Sequence, residues 1–298
     1  MNLFAAALLV AFPWPVGRPA VERTEDVIYG RKFGMALTMD VYVPKEKRNG
    51  AGIIYAVSGG WFSAKQVVPP VVYDEFLRRG YAVFAVTHGS QPRFTIPEVL
   101  EDMHRAVRYI RHNSWRYGVD PNRLGMAGGS AGGHLSLMQG CAPKEGNPRA
   151  SDPVERESSK VEAVACFFPP TDFLNYGKPG EEALGNGVLV NFKAPFDFVE
   201  FDQKSRSFIH ITDSDRRREI GKQISPAYHV SGKAPPTLII HGDADTLVPI
   251  QQAKLIIEKL KEAKVPCELV VKKGGLHGWP GMDKDFRILA EWFDKYLK

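Results

Sequence analysis

The sequence predicts a single α/β domain whose mostly parallel central sheet is covered by helices on both faces. Short, continuously apolar strand patterns alternate with amphipathic helical patterns along most of the chain, as in a buried parallel sheet. The length of 298 residues suits one large core. One long stretch breaks this alternation, and within it we assign residues 173–222 to a lid-like insertion after the sixth strand.

The first two strand patterns, residues 26–29 and 36–43, form an antiparallel hairpin in which Gly30 and Gly34 supply the turn. Six further strand patterns follow at 52–57, 81–86, 123–127, 161–168, 236–240 and 267–272. Helical patterns fall at 71–79, 97–113, 131–139, 250–264 and 285–297. Because parallel strands are joined by right-handed crossovers, these helices are expected to pack on the sheet.

The composition argues against several classes of function. The net charge is +5, and the basic residues are scattered among acidic ones, so we predict no nucleic-acid surface. The three cysteines have no C-x-x-C spacing, which argues against a zinc or redox motif. The sequence also shows no metal-ligand cluster and no nucleotide-binding glycine loop. We therefore predict that the protein uses no metal and no cofactor.

The N-terminus carries an apolar stretch, residues 3–14, which prolines close. This stretch is too short to cross a membrane as a helix, and we predict no membrane association. We expect residues 1–20 to be an export signal that precedes a domain at 21–298, in a secreted or periplasmic protein. The alternative is a cytoplasmic protein with a tail packed on the domain, because no basic residue precedes the stretch and no clear cleavage site follows it.

The strongest chemical signal is the run GGSAGG at residues 128–133, which contains the G-x-S-x-G pattern. A predicted strand precedes it and a predicted helix follows it, which is the setting of a nucleophile elbow. Small neighbours allow a sharp turn that lifts the Ser130 hydroxyl off the sheet. The helix N-terminus behind it favours an oxyanion. We predict Ser130 as a nucleophile, the alternative being a glycine-rich turn with an incidental serine.

A serine nucleophile requires a neighbouring base. His277 follows the last predicted strand and is flanked by glycines in a loop that can reach the serine. The other seven histidines lie on helices, at strand ends, in loops or in the insertion; among them, His134 is expected to contact backbone or core. We therefore predict His277 as the base, the alternative being a surface loop histidine.

The acid that orients the base should follow the preceding strand, where Asp243 and Asp245 compete. Asp243 stands at the start of the turn, where a carboxylate commonly accepts N–H groups of its own loop. Asp245 comes two residues later and can project toward His277. The sequence therefore predicts Asp245 as the acid.

Backbone donors for the oxyanion are expected from two places. The residue after the nucleophile, Ala131, should supply one N–H group. The loop after the first parallel strand contains Gly59 and Gly60, which let the backbone approach a substrate closely. We predict these three residues as the oxyanion hole, the alternative for the loop being a plain turn.

Several segments together resemble the α/β-hydrolase esterases related to hormone-sensitive lipase and to the feruloyl and acetylxylan esterases, called BD-FAE-like. They are SGGW at 58–61, YGVDP at 117–121, the elbow, residues 235–249 and the His277 loop, which span about residues 25 to 298 apart from the insertion. The resemblance implies the α/β-hydrolase fold and Asp245 as the acid. In these esterases a histidine and a glycine usually stand where this chain has Val57 and Ser58, and that histidine supports the loop.

These features predict a carboxylic ester hydrolase, a serine esterase that forms an acyl-enzyme on Ser130. The resemblance implies short acyl groups on a small-molecule or polysaccharide-linked ester. One alternative is a peptidase or amidase of the same fold, similar to prolyl oligopeptidase or formylkynurenine hydrolase, although the elbow is more like that of the esterases. Another is a non-catalytic binding protein, against which the intact set of Ser130, Asp245 and His277 argues.

Overall fold

The computed structural model describes residues 19–298. The expected export segment at 1–20 therefore lies outside the described residues, apart from its last two positions. Within the described part of the chain, every helix is too short or too polar to cross a bilayer.

Among the described residues, eight of the ten strands form one sheet in the order β1-β2-β4-β3-β5-β6-β9-β10, and the remaining two form a separate hairpin. The strands are β1 (Val21–Lys32), β2 (Met35–Pro44), β3 (Gly52–Ala56), β4 (Ala82–Val86), β5 (Leu124–Gly129), β6 (Ala163–Phe167), β7 (Val199–Asp202), β8 (Ser207–His210), β9 (Thr237–Gly242) and β10 (Cys267–Lys272). The six strands from β4 to β10 in the sheet are parallel, whereas β2 is antiparallel to its neighbours β1 and β4. This confirms the mostly parallel sheet.

Strands β3, β4 and β6 are buried at every position, which explains their continuous apolar sequence. The opening hairpin differs from the prediction. Its strands are longer, and the turn lies at Phe33 and Gly34, while Gly30 stays within β1 beside a register shift. A side chain at Gly30 would approach the Arg105 stem to 3.3 Å, so the glycine accommodates a packed helix rather than a turn.

Helices cover both faces of the sheet, as predicted. They are α1 (Asp74–Arg78), α2 (Ile96–His112), α3 (Ala131–Cys141), α4 (Ser214–Gln223), α5 (Gln251–Glu262) and α6 (Phe286–Leu297). The apolar side chains of α1 and α6 share one core with one face of the strands, and those of α2, α3 and α5 share the core on the other face. Helix α2 begins at a capping box made by Thr95 and Glu98, which satisfies its first free N–H groups.

The segment 173–222 follows β6, the sixth strand. It contains two 3₁₀ turns, Gly187–Phe192 and Ala194–Phe196, then the β7–β8 hairpin and helix α4. The hairpin is largely exposed to solvent, whereas four aromatic residues that precede it are buried, namely Phe173, Tyr176, Phe196 and Phe198. Its place in the fold brings this segment to the carboxyl edge of the sheet, the edge at which Ser130 lies.

Candidate active site

Ser130 lies between the end of β5 and the start of α3, in a backbone conformation that costs energy for any residue with a side chain. Its φ is 53° and its ψ is −121°. The turn is possible because its neighbours are glycines. A Cβ on Gly128 would lie 2.5 Å from the backbone of Gly132, and one on Gly132 would lie 2.6 Å from the Ala56 carbonyl oxygen. These close approaches give the turn the tightness of a nucleophile elbow.

The structure brings together Ser130, His277 and Asp245, which come from three separate loops. The Nε2 atom of His277 lies 2.8 Å from Ser130 Oγ, and its Nδ1 atom lies 2.7 Å from Asp245 Oδ2. Since a carboxylate only accepts, His277 Nδ1 carries the proton and Nε2 accepts from the serine hydroxyl. This is the hydrogen-bond pattern that a general base needs in order to activate a serine.

The Asp245 carboxylate is buried and takes hydrogen bonds on both oxygens. Oδ2 accepts from His277 and lies 3.4 Å from His241 Nε2, while Oδ1 accepts from the N–H groups of Leu247 and Val248 at 2.9 Å each. Burial by itself raises the pKa of the Asp245 carboxyl, but the hydrogen bonds from His241 and His277 outweigh it and hold the pKa well below its ordinary value. Asp245 is therefore an anion beside the imidazole at neutral pH.

The hydrogen-bond partners of Asp243 and Asp245 differ from the sequence prediction. The sequence predicts that Asp243 accepts N–H groups of its own loop, but in the structure its carboxylate accepts from Gly274 N–H in the histidine loop. The bonds within the loop are made by Asp245 instead. The reason is geometric, since the chain turns sharply directly after Asp245 and brings the next N–H groups onto Oδ1.

Of the three predicted oxyanion donors, Gly59 is not available in the structure. Its N–H group donates to the Phe62 carbonyl at 2.9 Å, within a tight turn that also pairs Phe62 N–H with the Gly59 carbonyl. Gly60, with φ +55°, lies at the apex of this turn. Ala131 is the first residue of α3, where an N–H group has no acceptor within the helix. Gly60 and Ala131 remain the predicted oxyanion hole.

The insertion packs against this oxyanion loop. The ring of Phe192 lies over Gly60, so close that any side chain at Gly60 would collide with it. The Trp61 side chain is buried, with ring centroids 5.3 Å from Phe196 and 5.8 Å from Phe173. The insertion thus forms a wall beside the predicted oxyanion site, while its role as a lid stays a prediction.

Phe168, which ends the strand pattern at 161–168, is a site residue that the sequence does not reveal. Its ring centroid lies 4.4 Å from that of His277, and it meets Trp279 edge-on at 5.9 Å. The backbone of Phe168 takes a φ of 34°, which turns the ring toward the histidine loop. An apolar residue that ends an apolar run carries no signal in the sequence that would distinguish this role.

The prediction that His134 contacts backbone or core is confirmed. Its Nε2–H donates to the Ile224 carbonyl at 2.6 Å, and its Nδ1 accepts from the Trp61 indole N–H at 3.2 Å. Burial lowers the pKa of His134 to about 4, so the ring is neutral and can serve one bond as donor and the other as acceptor. This side chain ties the oxyanion loop to α3 and to the chain that follows the insertion.

Comparison with known families agrees with this geometry. The sequence model of the BD-FAE family matches residues 39–260, which is most of the chain. The chain belongs to the BD-FAE family. All the predicted site residues apart from His277 lie within the matched range, and His277 lies just beyond it.

Two curated relatives from Mycobacterium tuberculosis bear the names of ester hydrolases. The probable carboxylic ester hydrolase LipM is 27% identical over 80% of this chain and 51% of its own length. Esterase LipC is 27% identical over 70% of this chain and 48% of its own length. The chain thus spans about half the length of the curated relatives it matches. Among solved structures, a truncated carbohydrate esterase from gut microbiota is 26% identical, with a TM-score of 0.73, and the match covers 94% of this chain and 98% of that one.

Proposed function

We propose that this BD-FAE family member is a serine esterase that cleaves carboxylic esters through an acyl-enzyme on Ser130. The observation that carries the proposal is the unbroken hydrogen-bonded chain from Ser130 through His277 to the Asp245 anion. The strained elbow and the free N–H group at the start of α3 complete the requirements for acyl transfer.

The geometry supports the following sequence of steps. Ser130 Oγ attacks the ester carbonyl carbon while its proton passes to His277 Nε2, and Asp245 stabilises the imidazolium. The carbonyl oxygen becomes an oxyanion, to which Gly60 and Ala131 donate their N–H groups. The intermediate collapses as His277 returns the proton to the departing alcohol. Water then attacks the acyl-enzyme with His277 as base, which releases the acid and restores Ser130.

We further propose that the acyl group is short and that the alcohol is part of a carbohydrate. Phe192 lies over Gly60 and Phe168 lies beside His277, which limits the space for a substrate next to the predicted oxyanion donor and next to the base. The similarity to a carbohydrate esterase, at 26% identity over nearly the whole of both chains, supports a sugar ester. The substrate class then includes acetyl groups on plant polysaccharide.

A panel of substrates tests these proposals. Rates are measured with p-nitrophenyl esters of increasing acyl length, with acetylated xylan and with a peptide p-nitroanilide as the amide control. We expect turnover of acetyl and propionyl esters and release of acetate from acetylated xylan. The peptide p-nitroanilide should not be hydrolysed. Ser130→Ala should abolish turnover while the fold remains. A fluorophosphonate should form a single covalent adduct on wild-type protein, located at Ser130 by mass spectrometry. Turnover by the alanine variant would overturn the mechanism, whereas a preference for long acyl chains would overturn only the substrate class.

We also propose export of this protein to the periplasm or the medium, which the apolar stretch at residues 3–14 supports. N-terminal sequencing of the protein recovered from its native host tests it. A mature chain that begins near residue 21 is the expected result, and an intact N-terminus on cytoplasmic protein would overturn it.

A further inference from the structure

The oxyanion loop, residues 57–63, is held along one side by the segment 88–91 that follows β4. The Gln91 side chain donates to the Gly60 carbonyl at 2.8 Å, and the Gln91 backbone N–H donates to the Trp61 carbonyl at 3.3 Å. Ser63 N–H donates to Ser90 Oγ at 3.0 Å. Because Gly60 is the predicted oxyanion donor of this loop, the segment 88–91 sets where that N–H group lies.

The innermost contact between the two segments is a buried pair, Ser58 and His88. The His88 Nε2 atom lies 2.9 Å from Ser58 Oγ, and both residues are 5% exposed. The His88 Nδ1 atom lies 2.7 Å from the Gly89 carbonyl, which only accepts, so Nδ1 carries the proton. The Ser58 hydroxyl therefore donates to Nε2. Burial lowers the pKa of His88 to about 4, which keeps the ring neutral and this pattern intact at neutral pH.

The same histidine also fixes the far side of the loop. Its backbone N–H donates to Ser63 Oγ at 3.1 Å, and that hydroxyl donates to the Val57 carbonyl at 2.5 Å. His88 thus contacts the loop both at Ser58, before the predicted donor Gly60, and at Ser63, after it. The departure from the family pattern at Val57 and Ser58 coincides with this arrangement.

We infer that Ser58 and His88 are a positioning pair that holds the Gly60 N–H group in place for the oxyanion. Removal of the Ser58 hydroxyl leaves a buried ring nitrogen without its donor and releases the loop two residues before Gly60. An N–H group stabilises an oxyanion only when it lies at the right distance in the transition state. The loss should therefore appear in the chemical step rather than in substrate binding.

This inference rests on the proposed esterase function, and the wild-type rate on p-nitrophenyl acetate tests that function separately. The test variants are Ser58→Ala, His88→Gln and His88→Leu. The chain offers a control in Ser159→Ala, since Ser159 Oγ also lies beside a buried histidine, 3.0 Å from His104 Nδ1, and in addition accepts from Lys144 N–H at 2.8 Å. Ser159 lies before β6, at the edge of the sheet opposite to Ser130.

The readouts are kcat, KM, the melting temperature and the inhibition constant of a trifluoromethyl ketone, which forms an oxyanion on Ser130. We expect Ser58→Ala to lower kcat by about tenfold or more, with KM within about twofold and the ketone affinity reduced by the same factor as kcat. His88→Gln places an amide oxygen near the position of Nε2 and should retain more activity than His88→Leu.

The control separates positioning from a general loss of stability. Ser159→Ala should lower the melting temperature while kcat and the ketone affinity stay at wild-type values. If Ser58→Ala behaved in the same way, the pair would be structural and the inference would fail. A rise in the ester KM as large as the fall in kcat would also overturn it, because the pair would then act on substrate binding. A wild-type enzyme without ester turnover would instead overturn the proposed function.

Discussion

Replacement of Asp245 by asparagine removes the negative charge and the acceptor oxygen that orient His277, while the side chain keeps its size and shape. The side-chain oxygen of the new asparagine can still accept from Leu247 and Val248, whose N–H groups lie 2.9 Å from Oδ1 of Asp245. The change falls on the position of Oδ2, where an amide NH₂ now donates to His277 Nδ1. The imidazole then takes the other tautomer, with the proton on Nε2. Because Nε2 already carries a proton, it can no longer accept the hydroxyl proton of Ser130.

The expected effect is a loss in kcat of about 10⁴, by comparison with the same substitution in another serine-histidine-aspartate enzyme. At about 1.4 kcal/mol for each factor of ten, this corresponds to roughly 5.5 kcal/mol of transition-state stabilisation. The free energy of unfolding should change much less, by about 1 kcal/mol, because both bonds on the other oxygen remain. KM should change little, since neither the Asp245 side chain nor the His277 imidazole is expected to bind the substrate in the ground state.

The assay is steady-state hydrolysis of p-nitrophenyl acetate with denaturant unfolding in parallel, and Asp243→Asn is the matched control. Asp243 is exposed and bridges to Gly274, and two backbone bonds between the same loops remain, Asp243 N–H to Lys272 and Ala244 N–H to Gly275. This variant should lose less than about tenfold in kcat and about 1 kcal/mol of stability. Equal rates for Asp245→Asn and wild type, or the larger kinetic loss in Asp243→Asn, would refute the reasoning.

Three further predictions test the surroundings of the site. The depressed pKa of Asp245 stabilises the fold fully above about pH 5 and progressively less as the pH falls through the unfolded value of about 3.9 toward the lower folded value. The difference in unfolding free energy between wild type and Asp245→Asn should therefore shrink from pH 6 to pH 3, and a constant difference would contradict it. Phe168→Ala removes the ring beside His277 and should lower the free energy of unfolding by about 3 kcal/mol and kcat by about tenfold. Urea unfolding and ester hydrolysis measure the two effects. An unchanged kcat would show that the ring does not position the base. Phe192→Ala opens the space over Gly60 and should raise kcat/KM for butyryl relative to acetyl esters by about tenfold, and an unchanged ratio would place the acyl group elsewhere.

The elements of the fold that carry the site could be read from local patterns. The buried strands β3, β4 and β6 are continuous apolar runs, and the elbow at Ser130 needs small residues that the sequence shows directly. The order of serine, acid and histidine along the chain follows from which strand each residue succeeds. These features are local, so a window of a few residues contains the physical reason for them.

The contacts that complete the site depend on groups that are distant in sequence. The N–H group of Gly59 donates to a carbonyl three residues later, and only the tertiary structure shows that the loop closes in this direction. The bond between Ser58 and His88 joins positions 30 residues apart, and the ring of Phe168 meets His277 from another strand. Nothing in the local pattern of any of these residues reports its partner.

The sequence by itself determined the mostly parallel sheet and the nucleophile elbow. It also predicted that Asp245 reaches His277, although the N–H bonds within the loop that it assigned to Asp243 are made by Asp245. Hydrophobic periodicity and small residues at a tight turn are properties of neighbouring positions, and they persist whatever the rest of the chain does. Only the tertiary structure decided that Asp245 also closes its own loop, that Gly59 is not available to an oxyanion and that the insertion packs on Trp61. Each of these depends on hydrogen-bond direction or ring packing between segments that folding brings together, and such pairings have no periodic signature along the chain.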